Sequence, residues 1–220
     1  GYSEDGTWKT LRKWAQQDER VRVRQLPGNG IYAAINSCIC EARGEYIYIA
    51  TADDTMAPHC LEKMVSALDA HSECGIAHCC LRGIDDAGHP VEGRVDWRKY
   101  PPARYFGALL DREHVREAPH DGLLHFALRT VYHSLTQLLI RRDVFERVGL
   151  FDETLGPVAD FEWDMRASLV TNVVHMPASL ATWRIHSEQA TQSDAGDSAA
   201  ACLRLAKMAR TAFRRARRLA

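Results

Sequence analysis

Two adjacent carboxylates, Asp53 and Asp54, follow directly on the apolar run Tyr46-Ile47-Tyr48-Ile49-Ala50 and a Thr51-Ala52 pair. In an open α/β sheet, ligands bind outside the carboxyl ends of the strands. Acids at such a place can hold a Mg²⁺ or Mn²⁺ ion whose other ligands are phosphate oxygens, which neutralises the charge on a departing diphosphate. The same pair also fits a polar turn between a strand and a helix. A second group of acids, Asp160, Glu162 and Asp164, opens a helical pattern carrying Phe161, Met165 and Leu169 on its buried side. Acids in a first turn also suit the helix dipole without doing any chemistry. Trp163 can stack on a sugar or fill the core. Arg184 and His186 bring a guanidinium and an imidazole late in the chain, where a histidine taken alone reads as a surface or capped residue.

Helix and strand patterns alternate around these residues. Thr7 is placed to cap a helix through Trp8, Leu11, Trp14 and Ala15. Val21 and Val23 alternate with Arg20, Arg22 and Arg24, which predicts a strand with one wet face. After Pro27-Gly28-Asn29-Gly30, a second helix runs from Ile31 to about Ala42. Tyr46 to Ala50 reads as a buried strand. The next helix, near Pro58, places Leu61, Met64, Val65 and Leu68 on one face. Gly75 to Leu81 and Leu138 to Ile140 read as strands, with a short helix ending near Gly149 and another from about Asp160 to Val170. Arg94 to Thr130 shows no clean period and reads as a variable insertion, and His114, His120, His125 and the nearby His133 read as surface residues. The alternation predicts an α/β sandwich on a mainly parallel sheet.

At 220 residues, 46% of them hydrophobic and 26% charged, the chain is expected to form one domain with a short tail. Lys plus Arg number 28 against 29 Asp plus Glu, a balance that points to no nucleic-acid partner. The seven cysteines lack zinc-ribbon spacing and fit a reducing, cytoplasmic compartment, with Cys79 and Cys80 as small buried hydrophobes. No apolar run approaches a membrane span. From Arg204 to Arg218 there are seven basic residues and no acid. A basic helix over 196–220 is therefore expected to be solvated or to lie on anionic lipid at the inner face of the membrane.

Read in order, the motifs resemble those of the family 2 glycosyltransferases, which share the GT-A fold. Tyr2-Ser3-Glu4-Asp5-Gly6-Thr7 is similar to the family's Gly-Ser-Thr-Asp-Gly-Thr turn, and Gly30 to Asn36 to its Gly-Ile-Tyr-Asp-Ala-Met-Asn helix. Arg43 to Ile47 resembles its Thr-Gly-Asp-Tyr-Ile segment, and Thr51-Ala52-Asp53-Asp54 with Pro58 its Asp-Ser-Asp-Asp segment and following proline. Leu139 to Phe145, Gly149 and Phe151-Asp152-Glu153 follow in order. Asp160 to Arg166 is similar to Glu-Asp-Tyr-Asp-Leu-Trp-Leu-Arg, and Arg184-Ile185-His186 to Arg-x-His. The match runs over about residues 1–191, without the insertion at about 85–130.

The resemblance implies a GT-A domain over 1–195 whose first strand-helix-strand is missing. It implies transfer of a sugar, with inversion, from a UDP- or dTDP-linked donor to a glycan, lipid-linked or other hydroxyl acceptor, as in cell-surface polysaccharide synthesis. Asp160 takes the place of the general base, and Asp53 with His186 that of the Mg²⁺ or Mn²⁺ ligands. Asn36, Asp53, Asp54 and Arg184 stand on the donor side, Glu162 and Trp163 on the acceptor side. Thr51, Ala33 and Ala159 stand where the family often carries acids, and Thr51 brings no charge to a metal. A nucleotidyltransferase would also use a metal-binding acid but needs no base at Asp160, and a non-catalytic sugar-nucleotide-binding remnant would keep the fold without turnover.

Overall fold

The computed structural model describes residues 2–28, 30–91, 101–128, 130–186 and 199–219. Of the expected insertion, residues 94–100 and 129 lie outside the described residues, as do residues 196–198 and 220 of the expected tail.

The N-terminal helix α1 (Thr7–Gln17) starts where the Asp5 carboxylate accepts the Thr7 backbone N–H at 3.0 Å, and it buries no residue. The expected strand at Val21 and Val23 is absent. Both valines are half-buried, but among the described residues the segment forms no ladder. Arg22 Nη2 instead donates to the Glu41 carbonyl at 2.7 Å, and Arg24 pairs with Glu41 at 2.7 Å. Helix α2 (Ile31–Glu41) turns Tyr32, Asn36 and Ile39 inward, spaced i, i+4, i+7 as one helical face requires.

Strand β1 (Tyr46–Tyr48) leads through the acidic turn to α3 (Cys60–Ala70). The inward face of α3 is Cys60, Met64, Ala67 and Leu68, one residue round from the predicted stripe, and Leu61 faces solvent. Strand β2 (Cys74–Ile84) is buried on both faces along nearly its whole length, with Cys79 and Cys80 in the core. Gly75 is required where β2 meets its neighbours, because a Cβ there would lie 2.3 Å from Thr171 Oγ1 and 2.6 Å from Val144 Cγ2.

The segment that shows no sequence period is ordered where described. It forms α4 (Pro101–Phe106), a 3₁₀ turn, β3 (His114–Arg116) and α5 (His120–Leu128). Strand β4 (Leu138–Arg141) runs into α6 (Arg142–Val148), followed by α7 (Ala159–Ser168), β5 (Asn172–Arg184) and α8 (Ala199–Ala216).

The sheet order is β1-β4-β2-β5-β3. The α/β architecture is as expected, but the sheet is not mainly parallel among the described strands. Only β2 with β5 is parallel, while β1 with β4, β2 with β4, and β3 with β5 are antiparallel. A parallel pair needs a long crossover, which α4 to α7 supply between β2 and β5. Strands β3 and β4 are formed by that same crossover and run back along the pair. The long β2/β5 ladder carries register shifts around Cys79 and Cys80, opposite Pro177, where a proline without a donor is tolerated.

Candidate active site

The acidic turn after β1 is bonded along its length to the end of β5. The Thr55 carbonyl accepts the Thr182 N–H at 2.9 Å, Ala57 N–H donates to the Leu180 carbonyl at 2.8 Å, and the Thr55 and Thr182 hydroxyls lie 2.8 Å apart. Asp54 completes the seam. Its Oδ1 accepts the Arg184 N–H at 2.8 Å, while its Oδ2 accepts the hydroxyls of Thr51 at 2.7 Å and Ser134 at 3.1 Å. The threonine that replaces an acid thus orients its neighbour instead of adding charge.

This seam brings Asp53 and His186 together. His186 Nε2 lies 3.1 Å from Asp53 Oδ2, with the Asp53 side chain 44% and the His186 side chain 26% exposed. Among the described residues no group of three or more His, Cys, Asp or Glu side chains could hold a metal ion. A partly exposed carboxylate and imidazole nonetheless fit Mg²⁺ or Mn²⁺ bound with a diphosphate, since Mg²⁺ is commonly held by one or two protein ligands with phosphate oxygens and water completing the shell.

The other residues expected on the donor side have their polar atoms engaged within the chain. Arg184 Nε donates to the Asp53 carbonyl at 2.8 Å, and its Nη1 donates to the carbonyls of Asp85 at 2.5 Å and Asp86 at 2.9 Å. Asn36 is buried under Phe151. Its Nδ2 donates to the Phe151 carbonyl at 3.0 Å and to Glu153 Oε1 at 2.9 Å, and its Oδ1 accepts the Phe151 N–H at 3.1 Å. Asp54 and Arg184 thus tie the turn that carries Asp53 to the end of β5, while Asn36 binds the Phe151 backbone and Glu153.

Helix α7 is held by a different set of contacts. Trp163 is fully buried, stacked on Phe145 with ring centroids 4.5 Å apart, and its Nε1 donates to the Gly149 carbonyl at 2.7 Å. Arg166 donates to the Val148 carbonyl and, at 2.9 Å, to the Leu150 carbonyl, so a guanidinium meets the carbonyls at the end of α6. Glu162 is fully buried and pairs with Arg166 at 2.9 Å and Arg215 at 3.3 Å. Neither Glu162 nor Trp163 offers a side chain to an acceptor; helical spacing turns both into the core.

Asp160 is placed otherwise. It is half-buried in the first turn of α7, its Oδ1 accepts the Phe161 N–H at 2.8 Å, and it is hydrogen-bonded to Tyr32 of α2. Burial raises its carboxyl above the ordinary range, against the lowering effect of those bonds. One turn further, Asp164 is buried, and its Oδ1 has no hydrogen-bond partner among the described residues. Burial and then the nearby Asp160 push its carboxyl well above the ordinary value. Burial without a partner for Oδ1 thus favours the protonated form of Asp164 over the carboxylate.

Sequence reasoning also missed a buried polar network. His78 Nδ1 lies 3.1 Å from His175 Nδ1 and 3.2 Å from Arg116 Nη2, while Gln137 Nε2 lies 3.2 Å from His78 Nε2. Arg116 pairs with buried Asp121 at 3.1 Å, and Asp121 accepts the Tyr132 hydroxyl at 2.8 Å. His125 is buried and His114, His120 and His133 are half-buried, which corrects their reading as surface residues; no spacing in the irregular segment signalled it.

The profile described as glycosyl transferase family 2 matches residues 1–148. An uncharacterized glycosyltransferase of Rickettsia typhi is 27% identical over 165 residues, covering 74% of this chain and 47% of that protein. The O-antigen biosynthesis protein RfbC of Myxococcus xanthus is 30% identical over 82 residues, 37% of this chain and 6% of that protein. Among solved structures, residues 1–349 of S. aureus TarS in complex with UDP-GlcNAc superpose with a TM-score of 0.62 at 15% identity, covering 87% of this chain and 49% of that chain. The same TarS segment in complex with UDP gives a TM-score of 0.60 at 17% identity, covering 83% of this chain and 48% of that chain. The chain thus spans about half the length of the Rickettsia relative and of the TarS segment, and a small part of RfbC.

Proposed function

The chain belongs to glycosyl transferase family 2, and on that premise we propose that it moves a sugar from a UDP- or dTDP-linked donor to a hydroxyl acceptor, with inversion, in cell-surface polysaccharide synthesis. The observation that carries this reading is the Asp53–His186 pair, an acid beyond a strand end and a late histidine brought to 3.1 Å. The names of RfbC and of the TarS complexes with UDP and UDP-GlcNAc support a polysaccharide role and a nucleotide-sugar donor.

Asp53 and His186 would hold a Mg²⁺ or Mn²⁺ ion, which when bound supplies positive charge to the diphosphate. Asp54, Thr51 and Arg184 fix the backbone that carries Asp53, so the carboxylate is set before donor arrives. Asp160 accepts the proton of the acceptor hydroxyl as that oxygen attacks the anomeric carbon from the face opposite the diphosphate. Burial raises its carboxyl above the ordinary range, which makes it a stronger base than an exposed aspartate. The Tyr32 hydroxyl holds it in place.

The test measures release of nucleoside diphosphate from UDP- and dTDP-sugars by the purified protein with Mn²⁺, beside its Asp53→Asn and Asp160→Asn variants. Turnover by the native protein and its loss in both variants is the expected result. Turnover unaffected by either substitution would overturn the assignment. A second reading, a nucleotide-sugar-binding chain without turnover, is favoured by the internal engagement of Arg184 and Asn36. Donor binding without diphosphate release would select it.

A further inference from the structure

Helix α8 does not lie free of the domain. Met208, Ala209, Ala212 and Ala216 are buried, and Ala209 and Ala212 form an apolar cluster with Met165 of α7. Arg215 reaches inward to Asp152 at 2.8 Å and to Glu162. The apolar stripe is thus spent on α7, and what faces outward is a different surface.

Between α5 and α8, over the outer side of α7, runs a groove of about 410 Å³. Its floor is Met165 and Leu169. Its walls carry Leu123 and Phe126 from α5 and Phe213 from α8, which are 49%, 59% and 46% exposed. Three large apolar side chains standing open on adjoining helices are more than scattered surface residues. The close approach of α5 to α7 that shapes the groove depends on Gly122, where a Cβ would lie 2.5 Å from Leu169 Cγ.

Arg210, Arg214 and Arg217, spaced i, i+4, i+7 along α8, line the same groove, and all three are exposed. Their side chains make no ion pair or hydrogen bond among the described residues, and no acid lines the groove. An apolar trough with a one-sided cationic rim is complementary to an anionic amphiphile: hydrocarbon against Phe126, Leu123 and Phe213, phosphate against the guanidiniums. A protein partner would need an apolar ridge flanked by acids, whereas a phospholipid carries both features in one molecule.

We propose that the α5–α8 groove docks on the anionic lipid surface of a membrane, with Arg210, Arg214 and Arg217 on headgroup phosphates and Leu123, Phe126 and Phe213 in the acyl boundary. This goes beyond the proposed sugar transfer and does not depend on it. The contact belongs to one face, built by α5 and α8 on either side of α7, not to the charge of the C-terminus at large.

Vesicle flotation tests it, with phosphatidylcholine alone against an equimolar mixture of phosphatidylcholine and phosphatidylglycerol. The protein is expected to float only with the anionic vesicles. The triple variant R210Q/R214Q/R217Q should lose on the order of a hundredfold in partitioning, about fivefold for each basic residue. Removing three exposed charges from α1, as K9Q/R12Q/K13Q, should leave binding near the native level. The F126S/F213S variant should lose the part of the binding that survives high salt, because screening removes only the electrostatic share. All substitutions are at exposed positions, and unchanged circular dichroism confirms the fold. No binding by the native protein, or equal losses in the two charge variants, would overturn the proposal.

Discussion

His186 Nε2 and Asp53 Oδ2 lie 3.1 Å apart although 133 positions separate them in the chain. The contact depends on the seam between the acidic turn and β5. If the pair holds a divalent ion, His186→Ala should raise the Mn²⁺ concentration needed for half-maximal activity by about tenfold or more, with a smaller loss at saturating metal. Titration of activity with Mn²⁺ checks this, and an unchanged metal dependence would remove His186 from the ligand set.

Asp160→Asn should abolish transfer and leave donor affinity nearly intact, because the amide keeps the shape but cannot take a proton. The raised carboxyl of Asp160 also gives a direction for pH. The acid limb of kcat/KM should fall at a higher pH than for an ordinary aspartate, since the base is inactive once protonated. Isothermal titration with donor and a pH–rate profile separate the two effects.

Asn36→Ala should act on stability and not on donor contact. It leaves the buried Phe151 N–H and carbonyl without their partners, a cost on the order of 2–4 kcal/mol. Urea unfolding should show the loss while donor affinity of the folded protein stays near native. Lost affinity at native stability would return Asn36 to the donor site.

Asp164→Asn should stabilise the protein at neutral pH. The folded carboxyl titrates well above the unfolded one, so the unfolded state releases its proton first and the fold loses stability as pH rises past the unfolded value. An amide stands in for the protonated acid and avoids that loss, so the gain is present at neutral pH and vanishes in acid. Unfolding curves at acid and neutral pH test the sign.

The buried histidines act in the opposite direction. Burial, with Arg116 nearby, lowers His175 to about 3, and burial also lowers His78 and His114; burial alone lowers His133 to about 4. Against this, Asp121 faces the network and is itself held low by Arg116 despite burial. The unfolded histidines take up protons near pH 6.5, so stability is full above that value and declines as pH falls from there toward 3. Each such group adds up to about 1.4 kcal/mol per pH unit to the slope. His175→Gln should flatten the slope measured between pH 4 and pH 6.

Much of this arrangement was legible in the residues. The i, i+4, i+7 spacing of Tyr32, Asn36 and Ile39 marks a helix, and the apolar run at Tyr46 stops where the acids begin. The segment at Val21 shows the limit, because alternation reports a half-buried surface and not whether a ladder forms. Side-chain chemistry has a similar limit. Asn36, Asp54 and Arg184 are the types that bind phosphate or sugar, but nothing local in the sequence shows that Phe151, Thr51 and the Asp85 carbonyl occupy them first. Trp163 and Glu162 share a helix turn with Asp160, and only packing against Phe145 and Arg215 shows which way each faces. The histidine network was hidden because His78, Arg116, His125 and His175 come from different elements with no common period.

The seam between Thr51–Ala57 and Leu180–Arg184, together with the long β2/β5 ladder, also bears on how the molecule could be divided. A cut in the exposed turn at Ala87–Gly88 would leave β1, β2 and both turn acids on one fragment, and β3 to β5 with Arg184 and His186 on the other. The two fragments would share their sheet and be expected to reassociate without a covalent link. Asp53 and His186 would then meet only in the reconstituted pair, making any activity at that position a direct reporter of complementation between the halves.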